Sequence, residues 1–329
     1  MRKVKLAAIQ PEAIWIPEKY SFRTEGYSEY PEKIIQDYIK KQLEITIGLL
    51  EAAGKAGCDI VTSCEDVSAL ADYGLDVTDE NIFPQLVAMA EVLIKNAYSE
   101  TAKKYSMYVV GCCLTREGGK NYNTAVIFDR RGQIIGEYRK THLPFNEKWQ
   151  CEAGDSLDVF QLDFGKIGVC ICYDMMFPET VEVLALKGAE IIFHPTFGYG
   201  WYDEIGQATV KTRANDNGVY IVVSKNYTGS TTAKSSIVDF WGRTLAEAEC
   251  CGNVIVTEII DLDNEKKQPD GYFNAYLTGV NNVTQRLRRE RRPELYRVIC
   301  EGNENELQAP GLEEKLRLLD DIKAGKCRW

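Results

Sequence analysis

The chain is 329 residues long, enough to bury a large core either as two domains of about 150 residues or as one large α/β domain. With 49 acidic against 39 basic residues and a net charge of −10, it is a poor match for nucleic acid or an anionic membrane surface as its main partner. No apolar run reaches transmembrane length and the apolar core of residues 1–10 is too short for a signal peptide, so the eleven cysteines are expected as free thiols in a reducing cytoplasm.

Residues 5–10 read as a first strand. The stretch 12–31 that follows carries Trp15, Tyr20, Phe22, Tyr27 and Tyr30; it is long for a bare connection and is expected to cover something. Apolar residues at Ile34, Ile35, Tyr38, Leu43, Ile45, Leu49 and Leu50 predict an amphipathic helix over 34–53, ending near Gly54 or Gly57. A strand over 59–64 puts Glu65 at its C-terminal end. A second helix is expected over 85–104 and a third strand over 108–114. Strands 124–129 and 133–138 form a hairpin across Arg130, Arg131 and Gly132, with Lys140 directly after it.

The second half repeats the theme. A short strand near Val159 precedes a strand over 166–172, a helix over 178–187 and a strand over 190–194. A helix over 201–216 stopped by Gly218 follows, then strands over 220–224, 235–240, 243–248 and 254–259. Two mixed sheets packed face to face, with helices on both outer faces, bury all these apolar strands economically. The expected boundaries are a body at 1–262 and a charge-rich tail at 263–329 that wraps the body or a neighbouring subunit. The arginine cluster at 286–292, with Glu290 and Glu294 beside it, reads as a salt-bridged face or an interface.

The stretch from Gly168 to Glu179 is the chemical centre. Its short apolar run reads as a buried strand ending at Cys172, and Pro178 suits the first turn of the helix beyond. A nucleophile on a tight strand-to-helix turn stands at the C-terminal edge of a sheet, beside free backbone N–H groups. A buried cysteine is more often an inert small hydrophobe. Glu65 and Lys140 also stand just beyond strand ends, where α/β sheets hold their ligands. A thiol is mostly protonated at neutral pH, so a glutamate that accepts its proton and a lysine that stabilises anions would make Cys172 reactive. Taken singly, Glu65 and Lys140 read more readily as solvated surface charges than as catalytic groups. His142 offers an alternative Cys–His pairing, though a packed loop role fits it better, and His194 before Pro195 reads as a strand-end structural residue. The adjacent pairs Cys112–Cys113 and Cys250–Cys251, and Cys170 one residue from Cys172, lack the spacing of a zinc site.

Taken together, these residues resemble the nitrilase superfamily of carbon–nitrogen hydrolases. The resemblance runs from the first strand to Leu262, with a weaker echo at 291–296. Its signals are Cys64-Glu65 after a strand, the run 138–147 containing Lys140 and Glu147, and the run 172–179 beginning Cys172-Tyr173-Asp174. Pro195-Thr196, the run 213–218 and the run 236–242 support them.

The resemblance implies a four-layer αββα sandwich that dimerises through helices near the nucleophile. It implies a Glu–Lys–Cys triad, carried here onto Glu65, Lys140 and Cys172, with Glu147 positioning the lysine or substrate. The backbone N–H of Tyr173 would join Lys140 in stabilising an oxyanion. The implied reaction is attack of Cys172 on an amide, carbamoyl or nitrile carbon and hydrolysis of the resulting thioester, with neither metal nor organic cofactor. Three departures stand out: Cys64 where many relatives carry proline, the long aromatic stretch near the N-terminus, and the short loop from Lys140 to Glu147.

The leading expectation is an amidase or N-carbamoyl amidase acting on small molecules. Phe145, Trp149, Phe197, Tyr199, Trp201 and Tyr202 are candidate pocket walls, with an equal claim to being core or dimer contacts. The alternatives are a nitrilase, a catalytically idle binding or scaffold protein, a glutaminase serving a separate synthetase, and a redox thiol protein using Cys170 and Cys172.

Overall fold

The computed structural model describes residues 1–14, 32–68, 70, 82–144, 147–197, 203–227, 234–249, 252–263, 288, 290–301, 312–324 and 326. Among them, twelve strands form two six-stranded sheets. The first contains β1 (Lys3–Gln10), β2 (Ile60–Thr62), β3 (Tyr108–Glu117), β4 (Lys120–Phe128), β5 (Ile134–Arg139) and, on the far side of β1, β12 (Val254–Asp261). The second runs from β6 (Val159–Gln161) through β7 (Lys166–Val169), β8 (Ile191–Thr196), β9 (Tyr220–Lys225) and β10 (Ser236–Val238) to β11 (Thr244–Glu247). Each has a parallel centre, β1–β2–β3 in one and β7–β8–β9 in the other, flanked by antiparallel strands. The internal repetition expected from the sequence is therefore architectural.

Alternation along the strands sorts the side chains into layers. Val4, Leu6 and Ala8 of β1 face inward, onto a core shared with Ile167, Val169, Ile191, Phe193 and Val222 of the second sheet. Ala7 and Ile9 face outward, where α1 (Glu32–Lys55) and α2 (Ile82–Tyr105) cover them with Ile35, Ile39, Leu50, Val87 and Ile94. On the opposite outer face α3 (Pro178–Leu186) and α4 (Asp203–Asn217) bring Val181, Leu184, Val210 and Ala214 against Ile192 and Ile221. The result is the four-layer αββα sandwich. Close packing has one visible sequence cost: a side chain at Gly111 of β3 would come within 2.2 Å of the Tyr98 ring on α2.

Three strands differ from expectation. Strands β3 and β4 are longer than predicted and are joined by Gly118 and Gly119, both at positive φ (58° and 84°), a two-residue hairpin compatible with the twist of the strands. The predicted strand 166–172 stops at Val169, and Cys172 opens a short 3₁₀ turn, Cys172–Met176, ahead of α3. Regular alternation would have put Cys170 and Cys172 on one face. Instead Cys170 lies in the outer core with Met175 and Val181, and Cys172 rests against the inner one, which removes the basis for a redox pair.

Residues 15–31 of the aromatic stretch lie outside the described residues. Just before them Ala13 donates to the carbonyl of Tyr227 at 2.8 Å, tying the chain after β1 to the end of β9. In the tail, 3₁₀ turns cover Pro293–Leu295 and Arg297–Cys300, and α5 spans Leu312–Lys323. Arg291 pairs with Glu182 of α3 at 2.8 Å and Arg288 donates to the carbonyl of Ala185, so at least part of the arginine cluster is salt-bridged. Among the described residues no helix is long and apolar enough to cross a membrane.

Candidate active site

Strand direction brings the expected residues to one edge. β2 runs parallel to β3, and β5 returns to that direction after two antiparallel steps, so Glu65 after β2 and Lys140 after β5 emerge at the same end. The parallel strands β7 and β8 of the second sheet end beside them: Phe197, just past β8, donates its backbone N–H to Oε2 of Glu65 at 2.7 Å.

At that edge the charged groups are buried and saturated. Lys140 is 1 % exposed, Glu65 5 % and Glu147 7 %. The Lys140 ammonium donates to Oε1 of Glu65 at 2.8 Å and to Oε2 of Glu147 at 2.6 Å. Asn123 of β4 places its one amide nitrogen between the same carboxylates, 2.9 Å from Glu65 and 2.8 Å from Glu147, while its oxygen accepts from the Cys112 thiol at 3.4 Å. Burial works against the charge on Lys140, but Glu147, Glu65 and Cys172 outweigh it and hold its pKa well above the ordinary lysine value. Burial pushes Glu147 up, with Glu65 adding to the rise and Lys140 opposing it. Two carboxylates thus share one ammonium, an arrangement that retains a proton more readily than an isolated ion pair.

The nucleophile candidate is built differently. Cys172 sits at φ +45°, a left-handed conformation that costs an L-residue about 1–2 kcal/mol, and it remains half-buried where Cys170 is fully buried. Burial pushes its thiol up to about 12 and the Glu65 carboxylate adds to the rise; the Lys140 ammonium and hydrogen bonding from Thr196 pull it down. The thiol is therefore protonated at neutral pH, with an acceptor and a cation both acting on it.

The histidines stand apart from this chemistry. His142 does not pair with Cys172: its Nδ1 lies 2.9 Å from Oδ1 of Asp174, and its ring stacks on Phe177 at 4.0 Å. His194 lies within β8 with Nδ1 3.1 Å from the carbonyl oxygen of Cys170, and burial lowers its pKa to about 4, so it is neutral. Its place inside the strand agrees with a structural role.

Among the expected pocket residues, Trp149 lies half-buried in the 3₁₀ turn Glu147–Trp149. Phe197 packs its ring against the outer core of the first sheet, and the contact it makes with the site runs through its backbone. Phe145, Tyr199, Trp201 and Tyr202 lie outside the described residues. Tyr173 is the second residue of the 3₁₀ turn and its ring meets Phe177 edge-on at 5.4 Å.

The linear chain did not mark Asn123 or Asn226, and Thr196 and Asp174 stood out only as members of motifs, without the parts they play here. Asn226 donates to the backbone carbonyl of Glu65 at 3.3 Å. The available signal was a polar residue placed inside or next to an apolar strand, which burial makes costly unless a partner awaits it.

Comparison with known proteins agrees with the fold. The carbon-nitrogen hydrolase family model matches residues 34–266. A citrullinase of Francisella tularensis is 30% identical over 268 residues, 75% of this chain and 88% of that protein. A nitrilase of Pyrococcus abyssi is 31% identical over 236 residues, 71% and 83% of the two chains. An omega-amidase of Danio rerio is 32% identical over 216 residues, 61% and 73%. Among solved structures, a carbon-nitrogen hydrolase from Helicobacter pylori superposes with a TM-score of 0.70 at 22% identity, covering 92% of this chain and 99% of that one. A mutant amidase from a Nesterenkonia species, with acrylamide added at its active-site cysteine, gives 0.65 at 17% identity, covering 90% and 99%.

Proposed function

The chain belongs to the carbon–nitrogen hydrolase family, and on that footing we propose that it hydrolyses amide or N-carbamoyl bonds of small molecules through a thioester on Cys172. The single observation that carries the reading is the Lys140 ammonium held between Glu65 and Glu147 while it and the Glu65 carboxylate act on the Cys172 thiol.

In this mechanism the sulfur attacks the carbonyl carbon as its proton passes to Glu65. A thiol held near 12 needs such a concerted base, since free thiolate is scarce. The carbonyl oxygen becomes an oxyanion, stabilised by Lys140 and the backbone N–H of Tyr173. Collapse breaks the C–N bond, and the leaving ammonia or amine takes the proton from Glu65. Water then gives its proton to Glu65 and attacks the thioester, and the departing sulfur recovers that proton as the acid leaves. Glu147 and Asn123 keep the lysine and glutamate in register.

The same proposal includes a homodimer with the tail, 263–329, at or near the subunit boundary. Leu295, Val298 and Ile299 are exposed beside the arginines that grip α3, a cluster that a second copy would cover; light scattering tests it. A cytoplasmic location fits the free thiols among the described residues.

The test is an ammonia-release screen of aliphatic amides, N-carbamoyl compounds and nitriles, with mass spectrometry of the quenched protein. Amide or carbamoyl turnover, an acyl adduct on Cys172 and loss of activity in a folded Cys172→Ala protein are expected. Turnover that survives Cys172→Ala would refute the reading. The Pyrococcus relative makes nitrile turnover the second reading, and preference for nitriles over amides in the same screen would select it.

A further inference from the structure

The two reactive groups of the site hang from different sheets, and one side chain ties their supports together. Asp174 is fully buried, two residues beyond Cys172. Its Oδ2 accepts from the Ile171 backbone N–H at 2.8 Å, on the nucleophile turn, and from the Tyr138 hydroxyl at 2.6 Å, on β5. Its Oδ1 accepts from the Thr141 hydroxyl at 3.0 Å and from the His142 backbone N–H and Nδ1, each at 2.9 Å. Four of these five donors belong to residues 138, 141 and 142, which bracket Lys140 on both sides.

A carboxylate offers about four lone-pair sites, so this one is fully used. Burial would raise its pKa, but the bonds from His142, Tyr138 and Ile171 outweigh burial and hold it below the ordinary carboxylate value, so Asp174 is an anion at working pH. Its negative charge accounts for the choice of residue: an amide of the same shape would turn one N–H toward the Ile171 N–H or lose the Thr141 and His142 donors.

We propose that Asp174 is a positioning residue that sets the separation of the Cys172 sulfur and the Lys140 ammonium across the seam between the sheets. This rests on the assignment of Cys172 and Lys140 above. The backbone at Cys172 is strained, and Asp174 closes the turn behind it through Ile171 while anchoring the lysine loop with its other bonds. Releasing it lets the ammonium and the sulfur drift apart, and the thiol loses the cation that favours its anion.

The test is the rate at which iodoacetamide labels Cys172 in the full-length protein at pH 8, measured peptide by peptide. Propionamide hydrolysis is followed in parallel. Asp174→Asn, folded by circular dichroism and thermal melting, is expected to label about tenfold more slowly and to lose about 100-fold in kcat with KM little changed. Tyr138→Phe removes one cross-sheet bond without touching charge, and it is expected to move both quantities the same way by about threefold to tenfold. Unfolding has the opposite sign, because Cys172 would then label faster together with buried Cys112, Cys113 and Cys170. If Asp174→Asn unfolds, Tyr138→Phe and Thr141→Val decide. Unchanged or faster labelling of Cys172 in folded variants overturns the proposal. If propionamide is not hydrolysed by the wild-type protein, labelling still decides it, and the functional reading is judged by its own screen.

Discussion

The two sheet edges that meet at the site solve opposite problems. The first sheet delivers Glu65, Lys140, Glu147 and Asn123 fully buried, with short hydrogen bonds among them. The second delivers Cys172 half-buried on a strained turn. Charges gain strength from a dry, fixed setting where reorganisation is already complete. A nucleophile must meet substrate and move, so it sits on the less buried support. Stability is expected to reside on the first side, while left-handed backbone occurs on both, at Asp66 (φ 36°) beside Glu65 and at Cys172 (φ 45°).

Removing the lysine attacks that division most directly. Lys140→Met leaves two buried carboxylates without their cation, and urea denaturation should show a loss of about 3–5 kcal/mol together with loss of turnover. An unchanged midpoint would mean that the cluster is open to solvent. Asn123→Ala is expected to cost about 2 kcal/mol, because two charge-assisted hydrogen bonds disappear from a site water does not reach. Asn123→Asp adds a third carboxylate, which raises the pKa of its neighbours, so the acid limb of the activity profile should move to higher pH.

On the other side the sign reverses. Cys172→Gly relieves the left-handed strain and should raise stability by about 1 kcal/mol while abolishing hydrolysis. A decrease would show that the turn is not strained at this position.

The pH response separates the regions once more. Glu147 is raised in the folded protein, so falling pH protonates it in the native state first and it favours folding on the way down. Asp174 is lowered, so its contribution is complete above the ordinary aspartate pKa and is lost as pH falls through its folded value. Acid titration of Glu147→Gln should therefore show less gain of stability above pH about 4.3 than wild type, and Asp174→Asn less loss below about 3.9. With the thiol near 12, labelling of Cys172 should rise about tenfold per pH unit from 7 to 10, and a plateau near 8.5 would contradict its burial.

Much of this was legible in the linear chain. Apolar period and turn residues placed all twelve strands and all four body helices to within a few residues, with β3 running further, β4 beginning earlier and β7 ending sooner than expected. β7 ends early because the turn after it is shaped by Asp174 reaching back to Ile171, a bond that no apolar pattern reveals. Asn123 was invisible as a functional residue for a similar reason. Its meaning lies in partners 58 and 24 residues away in the chain.

The amino-acid order settles which faces are apolar, where the chain must turn, and that a thiol, an ammonium and a carboxylate each come closely after a strand, because these follow from local periodicity and backbone preference. Which carboxylates share the ammonium, which histidine is neutral, and which aspartate joins the sheets follow only from packing. A charged group's energy depends on what lies within a few ångströms of it, and here those neighbours arrive from distant segments once the cores have closed.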